Sequence, residues 1–234
     1  MTDRIAETVN TELTAQLAGR ALVLSLLGRL FYAAPEADWL QGLADEGVFD
    51  DIPFGAQRPE VAAGLAQLQQ WTQHNRGGQL AQHLDILTSD YNRLFVGPGK
   101  IIAPPWESVQ VDDERQLFQE ETLAVRNWYR RFGLQAERLY TEPDDHVGLE
   151  LAFLAHLAQL ALAAQAAGDH ARLSELLAAE RAFLTEHALR WIPAWANRVV
   201  EQARTCLYRG LAQVTAGVLA EVAALASAPE AQAA

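Results

Sequence analysis

The chain has 234 residues, half of them hydrophobic, which is enough for one domain with a sizeable core and no disulfide or metal staple. It carries 30 acidic and 18 basic residues, a formal charge of −12. Phosphates are repelled by such a surface, so nucleic acid is excluded as a favoured partner and a cationic partner is favoured. Cys206 is the only cysteine, which excludes an internal disulfide and a thiolate zinc cluster.

The N-terminal region predicts a protein of the cytoplasm. Residues 1–16 are polar and amphipathic and lack the apolar stretch of a secretory signal. The most apolar run, residues 21–28, is shorter than the roughly 20 residues that a membrane span needs. We therefore expect a cytoplasmic location without membrane insertion.

Helical periodicity dominates the first part of the chain. Apolar residues recur at helical spacing up to Leu30, Pro35 opens a short helix that ends near Gly42, and turn residues fill the loop 45–59. Two further helices are predicted over 60–75 and 79–95.

Residues 97–108, GPGKIIAPPWES, break the helical pattern with three prolines and two glycines. We call this segment the proline loop. Pro104 and Pro105 remove backbone donors and impose an extended course. The isoleucines and Trp106 need burial against the protein or against a ligand, and loops often carry function.

The second half of the chain is predicted to be helical over 112–133, 141–168, 171–190, 194–206 and 209–225. The start of the second of these helices is the best marked: Thr141 or Glu142 would cap it, Pro143 suits its first turn, and Asp144 and Asp145 complement its dipole.

No internal repeat is found. The sequence therefore predicts an all-α fold, a single globular bundle of about eight to ten helices over residues 1–226 with a proline-rich central loop, followed by a flexible tail over 227–234.

The acids and histidine around residue 146 raise the question of a metal or catalytic site. His146 and Glu150 share a helix face, but His156 lies about 15 Å further along the axis. A local site offers at most four ligands, Glu142, Asp145, His146 and Glu150. This set is weak for zinc and has no second motif. We expect no metal and no cofactor.

Nucleophilic and phosphate-binding motifs are also missing. Neither a Gly-x-Ser-x-Gly elbow nor a complete phosphate loop is present, so no catalytic residue is predicted. A metal-dependent hydrolase built on Asp145, His146 and Glu150, or a nucleotide hydrolase, stays the enzymatic alternative. The purely structural alternative is a helix cap at Asp145 and His146, with Trp106 filling the core.

Four segments stand in a consistent order along the chain. They are DYNRLFVGPGKIIAPPWESV at 90–109, ERQLFQEETLAVRNWYRRFGL at 114–134, EPDDH at 142–146 and FLTEHALRWIPAWANRVVEQARTCLYRGLA at 183–212. Together they resemble the TorD/DmsD family of redox-enzyme maturation chaperones, whose Glu-Pro-x-Asp-His motif precedes an apolar helix. The N-terminal third of the chain carries no diagnostic motif.

The resemblance implies an all-helical chaperone without catalytic activity. Such a chaperone binds the twin-arginine signal peptide, and in some cases the body, of a molybdopterin oxidoreductase subunit. It holds the subunit in the cytoplasm until cofactor insertion and folding are complete, then releases it to the twin-arginine translocon. The family's leader site corresponds to eight positions here: Tyr91, Leu94, Phe95, Pro105, Trp106, Pro143, Asp145 and His146.

A twin-arginine leader has two guanidiniums followed by an apolar segment. Asp145, with Glu142 or Asp144 as a further acceptor, would take forked hydrogen bonds from one guanidinium. The apolar members of the set would cover the apolar segment. His146 would orient Asp145 or bond the peptide backbone, with a charge that depends on pH.

Four arginines lie between the proline loop and the EPDDH motif: Arg115, Arg126, Arg130 and Arg131. They either neutralise the carboxylates in the free protein or form a solvated helix face, and we favour the solvated face. A second functional candidate is an assembly chaperone for the mature catalytic subunit of a nitrate-reductase-like enzyme. We expect a monomer or a helix-exchanged dimer.

Overall fold

A computed structural model describes residues 2–111, 120–135 and 142–227. Within these ranges the protein is all-α, as predicted, with ten α-helices and no named strand. The α-helices are α1 Thr2–Tyr32, α2 Ala37–Asp45, α3 Pro59–Asn75, α4 Leu84–Tyr91, α5 Glu107–Val111, α6 Glu120–Arg131, α7 Val147–Ala166, α8 His170–Phe183, α9 Leu189–Gln202 and α10 Cys206–Ser227.

Two helix pairs form the centre of the bundle, and both pairs cross at facing glycines. α1 packs along α7, and α3 packs along α10. A Cβ atom at Gly148 would lie 2.6 Å from the carbonyl oxygen of Gly28, and a Cβ atom at Gly210 would lie 2.7 Å from that of Gly64. The backbones therefore approach more closely than any other residue would allow.

The apolar character of α7 and α10 follows from their central position. By length and composition alone, both helices could cross a membrane. In each helix, however, at least half of the most apolar stretch is buried inside the bundle. α7 contacts α1 and α8, so side chains on several of its faces are buried.

The break predicted between residues 190 and 194 is wrong. α8 continues through a π turn, Leu184–Ala188, into α9, and Pro193 lies inside α9. Pro193 lacks a backbone donor, so α9 continues past it with one hydrogen bond fewer.

The real break comes at residues 203–205, so Cys206 begins α10 and does not end the preceding helix. The buried Asp90 fixes this break, because its Oδ2 accepts hydrogen bonds from the backbone N–H groups of Arg204 and Thr205 and from the Thr205 hydroxyl. The predicted helix over 79–95 is likewise a 3-10 turn, Gln79–Gln82, then α4, then a π turn, Asn92–Val96.

Two predictions fall on residues outside the described ranges. The predicted helix start at 112–114 lies there, although α6 does end just before Gly133, whose φ of +76° stops a helix. The predicted tail over 227–234 lies there too, except for Ser227, which ends α10.

The glycine crossing gives a direct test of the packing. Gly148→Ala should lower the free energy of unfolding by about 2 kcal/mol or more, because its methyl group overlaps the Gly28 carbonyl and forces α1 away from α7. Gly42→Ala is the matched control, since a methyl group there meets no atom within 4 Å inside α2. Thermal melting followed by circular dichroism should separate the two variants, and equal melting temperatures would contradict the close crossing.

Candidate functional site

The proline loop is held against the residues that precede α7. The Val147 N–H donates to the Pro105 carbonyl at 2.8 Å, and the Glu107 N–H donates to the Asp145 carbonyl at 3.0 Å. Trp106 and His146 lie between these two bonds and form an antiparallel bridge. We call residues 103–108 and 142–147 together the corner.

The sequence EPDDH does not belong to a helix, so the predicted helix start at 141–146 is wrong. α7 begins at Val147, and His146 is its N-cap, with Nδ1 accepting the Gly148 N–H at 3.0 Å. Residues 142–146 are turn and extended backbone because Asp145 and Val147 bond to the proline loop and not to a helical turn. The other predicted cap, Thr141, lies outside the described residues.

The carboxylate of Asp145 is fully buried and both its oxygens have partners. Oδ2 accepts the Ser108 N–H at 2.8 Å, and Oδ1 accepts the Thr122 hydroxyl at 2.8 Å. Asp145 therefore caps α5 and ties α6 to the corner. The expected convergence of Trp106 and Asp145 is observed, but Asp145 is closed to an incoming guanidinium.

Asp144 is also buried, and Arg126 pairs with it. Nε and one terminal nitrogen of Arg126 donate to Asp144 Oδ2 at 2.9 and 2.6 Å. Arg126 shares the buried face of α6 with Thr122 and Tyr129, so the favoured solvated-face prediction is wrong for this residue. Arg130 and Arg131 are exposed, and Arg115 lies outside the described residues.

The aromatic and aliphatic members of the predicted site form a buried layer under the proline loop. Leu94 and Phe95 are 0 % and 3 % exposed, and Tyr91 is buried beside them. The ring centroid of Phe95 lies 5.8 Å from that of Trp195 and 5.6 Å from that of Tyr208. This layer supports the loop and does not reach solvent.

Two backbone bonds attach the loop to that layer. The Ala103 N–H donates to the Leu94 carbonyl at 2.8 Å, and Trp195 Nε1 donates to the Ala103 carbonyl at 3.1 Å. Pro105 and Pro143 are buried with it. The structure thus brings the predicted site residues into one region, as the sequence indicates.

Only Trp106 and Glu142 of the nine predicted site residues are half-buried and reach the surface. Trp106 Nε1 donates to Glu142 Oε1 at 2.8 Å. The pair presents an indole face and a carboxylate next to each other at the mouth of the corner.

Sequence reasoning missed the polar cluster around Glu107, a buried acid of the corner itself. Glu107 is fully buried between His187, whose Nδ1 lies 2.8 Å from Oε2, and Arg190, which donates to Oε1 at 3.1 Å. Glu150 is also fully buried and accepts the indole N–H of Trp191 at 3.2 Å. The sequence indicates Glu150 only as a candidate metal ligand and gives no signal for Glu107.

These groups do not form a metal site. Across the described residues, no group of three or more histidine, cysteine, aspartate or glutamate side chains is arranged to hold an ion. His146, which the hydrolase alternative needs as a ligand, uses Nδ1 to cap α7.

Burial shifts the pKa of two of these groups in the direction that favours the neutral form. Desolvation, with Glu107 and Asp145 nearby, raises the pKa of Glu150 well above its ordinary value. Burial lowers the pKa of His146 to about 3. The pH-dependent charge expected for His146 would therefore change only in acid.

Asp145 should behave as a structural residue. Asp145→Ala leaves the Ser108 N–H and the Thr122 hydroxyl unpaired in a buried place, so the free energy of unfolding should fall by about 2–4 kcal/mol. Glu142→Ala, three residues earlier and half-buried, is the control and should cost less than about 1 kcal/mol. Urea unfolding measures both free energies. If Asp145→Ala costs as little as Glu142→Ala, the two hydrogen bonds of Asp145 contribute little to stability.

Glu150 predicts a specific pH dependence. Burial raises the pKa of Glu150 in the folded protein, so the folded protein keeps a proton that the unfolded chain releases above pH 4.5. The free energy of unfolding of the wild type should therefore fall as the pH rises from 4.5. Glu150→Gln mimics the neutral acid and should melt higher than wild type at pH 8, with the difference vanishing near pH 4.5. Exposed Glu175→Gln is the control, and a pH-independent difference for Glu150→Gln would refute the assignment.

Comparison with known proteins finds relatives over most of the chain. Residues 56–197, more than half of the chain, match the family model described as nitrate reductase delta subunit. The Tat proofreading chaperone DmsD of Salmonella typhi is 32% identical over 201 residues, which is 86% of this chain and 87% of that protein. The chaperone protein TorD of Vibrio cholerae serotype O1 is 29% identical over 184 residues, 79% of this chain and 76% of that protein. The chain therefore belongs to the nitrate reductase delta subunit family, the TorD/DmsD family of chaperones that its four segments resemble.

Proposed function

We propose that the protein is a cytoplasmic, non-enzymatic chaperone that binds the twin-arginine signal peptide of a molybdopterin oxidoreductase subunit. It holds the subunit until cofactor insertion and folding are complete. The observation that carries the proposal is the corner, where the two segments singled out by the family resemblance meet and present Trp106 and Glu142 at the surface. Relatives about 30% identical over most of the chain are named as Tat proofreading chaperones.

The chemistry of the Trp106–Glu142 pair suits an arginine side chain. A carboxylate takes two parallel hydrogen bonds from a guanidinium, and the flat guanidinium also stacks on an indole. Within the described residues, Glu142 is bonded through Oε1 to Trp106 alone. The net charge of −12 speeds the approach of a cationic leader.

The remaining members of the proposed leader-binding set act from below the surface. They are Tyr91, Leu94, Phe95, Pro105, Pro143, Asp145 and His146. In the closed corner they position Trp106 and Glu142. Direct contact between a leader and these buried side chains requires the proline loop to lift from residues 145–147, which breaks two backbone hydrogen bonds.

The proposal predicts a preference for arginine. A synthetic peptide with two adjacent arginines before an apolar segment should bind the wild-type protein in isothermal titration, and a version with two lysines should bind roughly tenfold more weakly, because lysine cannot form the forked pair. Trp106→Ala and Glu142→Gln should each weaken binding of the arginine peptide while the melting temperature stays within a few degrees.

Trp39→Ala is the matched control for Trp106→Ala. Trp39 is also half-buried and stacks under Arg29, 3.9 Å from the guanidinium carbon to the ring centroid. Its loss should leave peptide affinity unchanged. If neither the arginine peptide nor the full-length subunit with its leader binds the wild-type protein, the proposed function is wrong.

The description of the matching family favours one second candidate, an assembly chaperone for the mature catalytic subunit of a nitrate-reductase-like enzyme. Co-purification separates the two candidates. Capture of a catalytic subunit that survives deletion of its leader would favour the mature subunit as the bound partner.

A further inference from the structure

A second surface, distant in sequence from the corner, has the shape of a peptide-binding groove. It lies between α1, α3 and the connection from α2 to α3, and encloses about 250 Å³. We call it the α1 groove. Apolar residues at its surface include Leu22, Leu26, Val48, Ile52 and Leu65.

Leu22 is unusual because it is 61% exposed although it borders this apolar cavity. The described residues contain three other large apolar side chains with comparable exposure, Ile86, Val96 and Leu123, and none of them lines the groove. An exposed leucine at the edge of an apolar cavity marks a surface where a partner can bury further apolar area.

One acid lines the groove. The stretch DEGVFDDI at 45–52 supplies Val48 and Ile52 to the apolar lining and Asp51 beside them. Asp50 is paired with Arg76 at 2.5 Å. Asp51, which lines the groove and is exposed, has no cationic partner among the described residues.

The size of the groove decides what kind of molecule it fits. Small-molecule sites enclose roughly 300–1,000 Å³, so this groove is small for a cofactor or metabolite. It has room for one or two large side chains of a peptide laid across it, as in the docking of an amphipathic segment. An apolar lining with an unpaired acid at the edge selects a peptide that is apolar with a flanking cation.

We propose that the α1 groove binds the apolar segment of the leader, with a cationic residue that follows this segment facing Asp51. This inference rests on the proposed function. Tyr32, ten residues after Leu22 on α1, lies 5.3 Å from His146 of the corner between ring centroids. Ten helical residues rise about 15 Å, so along the axis of α1 Leu22 lies about 15 Å from this contact, a length that about five extended residues span.

Fluorescence anisotropy with the labelled arginine peptide, extended by a lysine after its apolar segment, tests the groove. Leu22→Glu places a charge at the apolar surface and should weaken binding roughly tenfold or more. Ile86→Glu is the matched control, because Ile86 is 58% exposed and lies outside the groove, and should change affinity less than about twofold. Asp51→Lys should also weaken binding and reduce its dependence on salt.

The outcomes separate this inference from the proposed function. If wild type binds the peptide and Leu22→Glu binds it equally well, the groove is not its site, while the chaperone function stands. If wild type binds neither peptide nor full-length subunit, both proposals are overturned. If wild type is a dimer that Leu22→Glu converts to a monomer, the groove is an interface between two copies and the inference is wrong.

A second measurement covers the case in which Leu22→Glu loses its helical signal. A photoreactive group in the apolar segment of the peptide is cross-linked to the wild-type protein, and the linked residues are identified by mass spectrometry. Links within 22–26 and 48–53 support the inference. Links confined to the proline loop overturn it.

Discussion

The corner depends on two backbone hydrogen bonds that join the proline loop to the residues before α7. Pro104 and Pro105 cannot donate such bonds, so the loop contributes the Pro105 carbonyl and the Glu107 N–H on either side of Trp106. Asp145 then closes the arrangement from inside by accepting from Ser108 and Thr122. The start of α7, the position of α5 and the exposure of the Trp106 edge all follow from this contact.

The acids of this protein fall into two groups with different roles. Asp144 and Asp145 are buried, and each is satisfied by hydrogen-bond donors from α5 or α6. Removing such a group leaves unpaired donors in a dry environment, which is why these acids are structural. A cationic partner has to meet acids that remain at the surface, and at the two candidate surfaces these are Glu142 and Asp51.

The sequence predicts much of the fold because apolar periodicity depends on local spacing. It fails where a distant side chain decides the structure. Asp90 fixes the break before α10 from more than one hundred residues away in the sequence, and no local pattern near Thr205 predicts this break. The site shows the same limit: the motifs identify the segments that meet, but no pattern within them identifies Ser108 and Thr122 as the hydrogen-bond donors to the buried Asp145.

The two surfaces also bear on how a chaperone can hold a leader and still release it. On the two proposals above, a groove of about 250 Å³ would bury only one or two side chains of the leader, and one carboxylate beside one indole would hold an arginine with modest affinity. Joined by a short stretch of the same peptide, two modest contacts reinforce each other, because binding at one raises the effective concentration at the other. Such binding is tight only while both contacts are made. A competitor that takes the arginines or the apolar segment alone therefore removes the cooperative part of the affinity, which is the behaviour that handover to another protein requires.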